Sequence, residues 1–224
     1  MIKVYSHPRS GTHFLMEFIS INFYANENLD KGKGNFGHWS NMQTLNRPFR
    51  NGKLFGSHAF PLKRHRFLPL KKIYIFRDGL DVAFSLWKSN FYNKDWGDIS
   101  FYDFLQRDLD WYSTPTHKFD YKGTVLKHWA KHVEQWHQIQ NPFILIVRFE
   151  ELLNTPERIS TRIAKFLNVY PPSDLKKVTT LVGLSPNHGK IKEWKTHLHD
   201  DQIEEVLYKL GKAKRFLWTQ RSES

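Results

Sequence analysis

The chain has 224 residues, of which 40% are hydrophobic and 25% are charged, which predicts one globular domain over residues 1–224 and excludes a disordered chain. Lysine and arginine number 34 against 22 aspartates and glutamates, and this excess gives a formal net charge of +12. Such a balance favours an anionic partner, which could be a phosphorylated cofactor, an acidic surface or nucleic acid.

The predicted elements alternate between strands and helices along the chain. Hydrophobic periodicity predicts strands over 2–6, 53–57, 72–76 and 142–149, and helices over 12–24, 79–91, 124–140, 156–167, 174–182 and 200–210. The alternation is typical of an α/β fold with a central parallel sheet flanked by helices. Residues 92–123 are aromatic and irregular, and residues 212–224 are predicted to be a tail.

The octet "HPRSGTHF", residues 7–14, connects the first strand to the first helix. Its small residues expose backbone N–H groups at a helix N-terminus, where the helix dipole favours an anion. Arg9 and the hydroxyls of Ser10 and Thr12 add donors for phosphate. The alternative interpretation is a tight connection that contains Gly11 for its turn alone.

The octet does not fit the common nucleotide-binding loops. A triphosphate-binding P-loop needs two glycines and a lysine after the second one, whereas here Arg9 precedes the single Gly11. The chain also shows no acidic strand end suited to magnesium, which disfavours a kinase of the same layout. A basic nucleic-acid-binding protein stays an alternative, although the chain has no recognisable nucleic-acid-binding module.

Two segments resemble the sulfotransferases that use 3′-phosphoadenosine 5′-phosphosulfate (PAPS). The octet is similar to their loop for the 5′-phosphosulfate, Pro-Lys/Arg-Ser-Gly-Thr-Thr followed by an aromatic residue. The segment "IYIFRDGLDVAFSLWKS" is similar to their 3′-phosphate segment, in which an arginine ends a strand and a serine follows on the next helix; here these are Arg77 and Ser85. The resemblance implies a three-layer, P-loop-like fold and PAPS as co-substrate, with no metal.

Two later segments extend the resemblance over most of the chain. Residues 125–169 are similar to the helix, strand and Tyr-Glu-Asp-Leu turn of that family, with the turn at residues 149–152. The segment "HGKIKEWKTHL" resembles the C-terminal stretch that closes over the cofactor. Where relatives have Arg-Lys-Gly, this chain has Asn187, His188 and Gly189, so Lys190 or Lys192 is expected to supply the missing charge.

The resemblance also implies the roles of individual residues. His58, which follows the second predicted strand, matches the position of the catalytic base, and a histidine of ordinary pKa can accept a proton near neutrality. Arg9 matches the cation that stabilises the departing phosphate. The expected contacts to the cofactor come from Arg9, Ser10, Gly11, Thr12, His13, Phe14, Arg77, Ser85, Phe149, His188, Gly189 and Lys190. Phe149 could instead belong to the core.

The acceptor and the cellular setting are less specified. Residues 92–121 hold nine aromatic side chains, which could line an acceptor site for a small molecule, a lipid or a glycan, or could form a small core under a long loop. Cysteine is absent, and the sequence shows neither a signal-peptide pattern nor an apolar run long enough to span a membrane. These features lead us to expect a cytoplasmic sulfotransferase that moves a sulfuryl group onto a hydroxyl or, less favourably, an amine.

Overall fold

The computed structural model describes residues 2–24, 36–38, 54–89, 96–111, 121–179 and 191–217. Within these ranges, five parallel strands form one sheet in the order β2-β3-β1-β4-β7, and two antiparallel strands form a hairpin. The strands are β1 Ile2–Tyr5, β2 Phe36–His38, β3 Leu54–Ser57, β4 Lys72–Phe76, β5 Leu109–Trp111, β6 Tyr121–Gly123 and β7 Ile144–Arg148.

Helices follow most strands of the sheet, and local sequence signals fix their ends. The helices are α1 Thr12–Phe23, α2 Gly79–Lys88, α3 Phe101–Gln106, α4 Val125–His137, α5 Phe149–Asn154, α6 Pro156–Leu167 and α7 Asp200–Leu210, with 3₁₀ turns at Lys63–Arg66, Glu193–His197 and Gly211–Phe216. The Asp78 carboxylate accepts the backbone N–H groups of Leu80 and Asp81, which caps α2. Pro156 begins α6, and Asn168 ends it in the left-handed conformation.

The sheet is buried on both faces, as β4 shows. Ile73 and Ile75 belong to the apolar cluster that includes α1 and α6, while Tyr74 and Phe76 belong to the cluster on the other face with α2, α3, α4 and α7. This alternation follows from the two-residue repeat of a strand. The three-layer α/β fold expected from the sequence is therefore confirmed.

Two local predictions were wrong. Residues 174–179 of the helix predicted over 174–182 are not helical, because the Asn22 side chain bonds both the N–H and the C=O of Lys176 (2.8 and 3.0 Å). These bonds replace the ones that a helix would form. The segment treated as irregular instead contains α3 and the β5–β6 hairpin. Its helix has only six residues and begins at Ser100, whose hydroxyl accepts the N–H of Asp103.

Across the parts of the chain that the structure describes, no helix combines the length and the apolar character needed to cross a bilayer.

Candidate active site

The carboxyl ends of three adjacent strands bring the predicted site residues together. β1 pairs in parallel with β3 on one side and β4 on the other, with Tyr5 opposite both Ser57 and Tyr74. The octet, His58 and Arg77 therefore emerge at the same edge of the sheet, where α/β proteins bind their ligands. Across this edge the Nε of Arg9 donates to the Oγ of Ser85 at 2.9 Å. The two halves of the expected nucleotide site thus face each other.

The octet forms a tight loop with two left-handed residues. Arg9 has φ 65° and Gly11 has φ 91°, while the N–H of Ser10 donates back to the carbonyl of His7 at 3.2 Å. Alternation of right- and left-handed residues turns successive N–H groups toward one point, where an anion can bind. The Ser10 hydroxyl is fully buried and has no hydrogen-bond partner among the described residues. Thr12 differs, because its hydroxyl bonds the hydroxyl of Ser6.

The Phe149 ring packs against the backbone of this loop at Gly11. A Cβ added to Gly11 would lie 2.3 Å from Cδ2 of the Phe149 ring, so only glycine fits at this contact. The ring also meets Phe14 edge to face at 5.5 Å, and the Arg77 guanidinium carbon lies 5.0 Å from its centre. Phe149 is buried in the cluster of the α1 face. In this structure the ring packs in the core between the octet and Arg77.

Arg77 is buried beside the carboxyl group of Asp81, and two further carboxyl groups lie close to Asp81. The Nη2 atom of Arg77 lies 4.0 Å from Oδ2 of Asp81, and the Glu150 carboxylate accepts the N–H of Asp78 at 2.8 Å. Burial raises the pKa of Asp81 to about 7, although Arg77 opposes this shift, and burial also raises the pKa of Glu150. Asp81 further accepts the backbone N–H of Lys192 at 2.6 Å, which ties the C-terminal segment to α2.

Arg9 and His13 of this loop have shifted pKa values. The pKa of Arg9 is lowered mainly by burial and then by Arg77, so the two guanidinium groups are close enough to repel. The pKa of the His13 ring is lowered by burial and by Arg9. An anion bound between Arg9 and Arg77 would relieve this repulsion.

His58 lies against β1 with a defined tautomer. Its Nδ1 is 3.0 Å from the carbonyl oxygen of Ser6 and 3.2 Å from the hydroxyl of the same residue. A carbonyl can only accept, so Nδ1 carries the proton and the lone pair is on Nε2. Burial lowers the pKa of His58 to about 3, which differs from the ordinary titration expected from the sequence. The ring is therefore neutral throughout the physiological range.

Sequence reasoning missed three more histidines at this edge. His7 donates from Nδ1 to the carbonyl of Pro8 (2.9 Å) and accepts at Nε2 from Nδ1 of His128 (2.8 Å). His128 stacks on Trp111 with ring centres 4.1 Å apart. Burial is the main reason that the pKa values of His7, His128 and His132 are low. The four-residue spacing of His128 and His132, which places both on one face of α4, was the available signal.

His132 contacts the backbone of His58 directly. Its Nε2 donates to the His58 carbonyl at 3.2 Å, and its Nδ1 accepts the hydroxyl proton of Tyr74 at 3.0 Å. Burial raises the pKa of Tyr74 well above its usual value, so this hydroxyl stays a donor. Tyr74 and His132 together hold the segment that carries His58.

Some predicted site residues fall in segments outside the described ranges. His188, Gly189 and Lys190 lie outside the described residues. Of the aromatic segment, Phe101, Phe104 and Trp111 are buried in the larger apolar cluster, so these three side chains form core. Tyr92, Tyr112 and Phe119 lie outside the described residues.

A known family model matches most of this chain. The family model of the sulfotransferase domain matches residues 2–184, and the chain therefore belongs to the sulfotransferase domain family. No curated protein sequence matches the chain significantly.

Solved structures with PAP bound share the fold. Mouse sulfotransferase SULT7A1, complexed with PAP, is 16% identical with a TM-score of 0.58, over 93% of this chain and 83% of that one. Retinol dehydratase with androsterone and the inactive cofactor PAP is 15% identical with a TM-score of 0.61, and the match covers 100% of this chain and 83% of that one. The complex of retinol dehydratase with retinol and PAP is 13% identical with a TM-score of 0.62, and the match covers 98% of this chain and 82% of that one.

Proposed function

We propose that this chain transfers a sulfuryl group from PAPS to a hydroxyl group, with His58 as the base. Membership of the sulfotransferase family supports the reaction class, and three solved complexes of similar fold contain PAP, the product left by PAPS. Residues 1–224 are proposed to act as one domain for this purpose.

The contact between Arg9 and Ser85 is the observation that carries the proposal. These residues come from the two segments assigned to the 5′ and 3′ ends of the nucleotide, and they are separated by 2.9 Å between Nε and Oγ. One molecule with a phosphate at each end can therefore contact both segments at once. A nucleotide with phosphates only on its 5′ side would not use both.

The side chains present fit such a ligand with anionic groups at both ends. The buried hydroxyl of Ser10 lacks a hydrogen-bond partner within the described part of the chain, and a phosphate oxygen would provide one. Arg9 is proposed to bind the 5′ end and Arg77 the 3′-phosphate, with Ser85 beside them. His188, Gly189 and Lys190 are proposed to complete the 3′ end, and His13 and Phe14 to border the 5′ end and the adenine.

His58 is proposed to take the proton of the acceptor. As the acceptor oxygen bonds to sulfur, the bond from sulfur to the 5′-phosphate oxygen breaks, and Nε2 of His58 receives the proton. The pKa of about 3 makes the isolated ring a weak base. A bound polyanion beside the ring would raise this pKa, because it favours the imidazolium form. Proton uptake is thereby restricted to the loaded site.

Arg9 is proposed to stabilise the negative charge that develops on the departing phosphate. Its pKa is too high for proton donation, so it acts through charge and paired hydrogen bonds. The bond to Ser85 already holds its side chain across the site, which reduces the ordering that the reaction would otherwise require.

The acceptor is proposed to be a small organic alcohol, a lipid or a glycan. Retinol dehydratase, a protein of similar fold, was solved with androsterone and with retinol, both bulky and apolar. Transfer of labelled sulfate from PAPS across a panel of glycans, phenols, lipids and steroid-like alcohols would identify the class.

A thermal-unfolding titration tests the nucleotide assignment. We expect PAP to raise the melting temperature far more than ATP or 5′-AMP at the same concentration, because only PAP has both phosphates. Arg77→Ala is the matched control and should bring the PAP shift down toward that of 5′-AMP. Equal shifts with PAP and ATP would contradict the proposal.

A further inference from the structure

The amino-terminal edge of the sheet carries an unusual group of exposed apolar side chains. Among the described residues, eight large apolar side chains are exposed, and only Tyr208 of α7 lies elsewhere in the fold. The other seven occupy three segments near the starts of β4 and β7 and the end of α6: Leu62, Phe67, Leu68, Leu70, Phe143, Val169 and Tyr170. We call these seven residues the amino-edge patch.

Hydrogen bonds join the three segments into one surface. The N–H of Lys72 donates to the carbonyl of Phe143 at 2.9 Å, and the Asn141 amide donates to the carbonyl of His65 at 2.8 Å. On the other side, Nζ of Lys71 donates to the carbonyl of Leu167 at 2.8 Å, next to Val169. These bonds place the three segments next to one another at this edge of the sheet.

The loop that supplies most of the patch is held in a fixed conformation. His65 is buried against Trp136 with ring centres 5.5 Å apart, and it accepts the N–H of Leu62. The buried Lys72 ammonium donates to the carbonyls of Leu68 and Leu70 at 3.4 and 2.8 Å. The inward residues fix the backbone, so the apolar side chains between them are presented to solvent; Phe67 is 81% exposed.

Cations accompany these apolar groups. Residues 61–72 contain Lys63, Arg64, Arg66, Lys71 and Lys72, and no aspartate or glutamate. Lys63 and Arg66 are exposed beside Leu62 and Phe67. The matching partner must therefore combine negative charge with an apolar layer. A lipid surface with anionic head groups has both, whereas nucleic acid provides negative charge without an apolar layer that would bury the leucines.

We propose that the amino-edge patch docks the protein onto anionic lipid bilayers. Phe67 and the leucines insert between head groups, while Lys63 and Arg66 contact the anionic groups. The patch lies at the amino ends of the strands and the candidate active site at their carboxyl ends. Docking therefore leaves the active site open to the aqueous side.

Co-sedimentation of the full chain with vesicles tests this proposal. We expect binding to phosphatidylcholine–phosphatidylserine vesicles to exceed binding to pure phosphatidylcholine vesicles by about tenfold or more, and to weaken in high salt. The paired changes Phe67→Ser with Leu70→Ser, and Lys63→Glu with Arg66→Glu, should each reduce the partition coefficient by about tenfold or more. All four side chains are exposed, so these variants should keep the melting temperature of the parent protein.

Matched controls separate the patch from general charge and general hydrophobicity. Tyr208→Ser removes an exposed apolar side chain outside the patch, and Lys212→Glu with Lys214→Glu changes the net charge as much as the patch pair does. Both controls should bind vesicles like the parent protein. Equal binding to both vesicle types, or equal losses in control and patch variants, would overturn the proposal. Self-association that the Phe67 and Leu70 changes abolish, without vesicle binding, would also overturn it and assign the patch to contacts between copies.

Discussion

Apolar side chains are usually buried and charged ones exposed, and the two edges of the sheet depart from this rule in opposite ways. At the carboxyl edge, charged and polar groups such as Arg77, Asp81 and His58 are buried, whereas at the amino edge large apolar side chains such as Phe67 and Tyr170 are exposed. Buried charge and exposed apolar surface both lower stability unless they are compensated. This contrast is the basis of the two proposals, a small anionic ligand at the carboxyl edge and an anionic lipid surface at the amino edge.

The largest effect is expected from His58→Ala at the carboxyl edge. Loss of the base should lower the transfer rate about 10²- to 10⁴-fold, while the affinity for PAP changes little, because the proposed role of the ring is toward the acceptor and not toward the nucleotide. Labelled-sulfate transfer and calorimetric titration with PAP measure the two quantities. His132→Ala should cost less, since that ring acts only through the His58 backbone. A fully active His58→Ala protein would remove His58 from its role.

The second-largest effect is expected from acid, which should lower the stability of the protein through the buried histidines of the carboxyl edge. The pKa values of His7, His58, His128 and His132 are lowered by burial, so the unfolded chain binds more protons than the folded one below pH 6.5. Stability is therefore full above pH 6.5 and lost as the pH falls. Between pH 6.5 and 5.5 these rings lower the free energy of unfolding, and the raised pKa values of Asp81 and Glu150 oppose part of that loss.

Urea unfolding at these two pH values measures the acid effect. The free energy of unfolding should be lower at pH 5.5 than at pH 6.5, by a few kcal/mol. The Lys63→Glu and Arg66→Glu variant, changed only at the amino edge, should show the same loss. A stability profile that is flat across this interval would show that these rings titrate normally.

Gly11→Ala should rank third, with a loss of about 2–4 kcal/mol in folding stability. The new Cβ would meet Phe149 at 2.3 Å, and φ of 91° is unfavourable for alanine. Gly97→Ala is the matched control: it also has positive φ, but its Cβ would have no atom within 4 Å, so only the backbone term of about 1–2 kcal/mol applies. Chemical denaturation compares the two. Equal losses would mean that Phe149 does not crowd the loop.

The smallest of these effects is expected from Arg77→Ala, which should lower the affinity for PAP about 10- to 100-fold. Its proposed target is the 3′-phosphate, so the affinity for 5′-AMP should not change. Calorimetric titration with both nucleotides makes the comparison, and vesicle binding should be the same as for the parent chain. An unchanged PAP affinity would contradict the assignment of Arg77.

Much of the fold could be predicted from the sequence. The strand over 72–76 and the helices over 156–167 and 200–210 were placed with their observed bounds, because period, caps and breakers agreed there. The prediction failed where distant contacts decide the structure, as when Asn22 bonds the backbone of Lys176.

Less of the candidate site could be predicted. Contiguous motifs pointed to Arg9, Arg77 and Ser85, which the structure brings to one edge. The tautomer and low pKa of His58 depend on burial and on the Ser6 carbonyl, which no local pattern specifies. The same holds for Tyr74, a strand residue whose bond to His132 spans 58 positions.

The Phe149 ring has a consequence for how fragments of the nucleotide should bind. It touches Gly11 of the first loop and lies under the Arg77 guanidinium, so a shift at either contact is transmitted to the other. We expect the two termini of the ligand to bind cooperatively: adenosine 3′-phosphate and inorganic sulfate added together should stabilise the protein by more than the sum of their separate effects. Phe149→Leu should reduce that excess toward simple additivity.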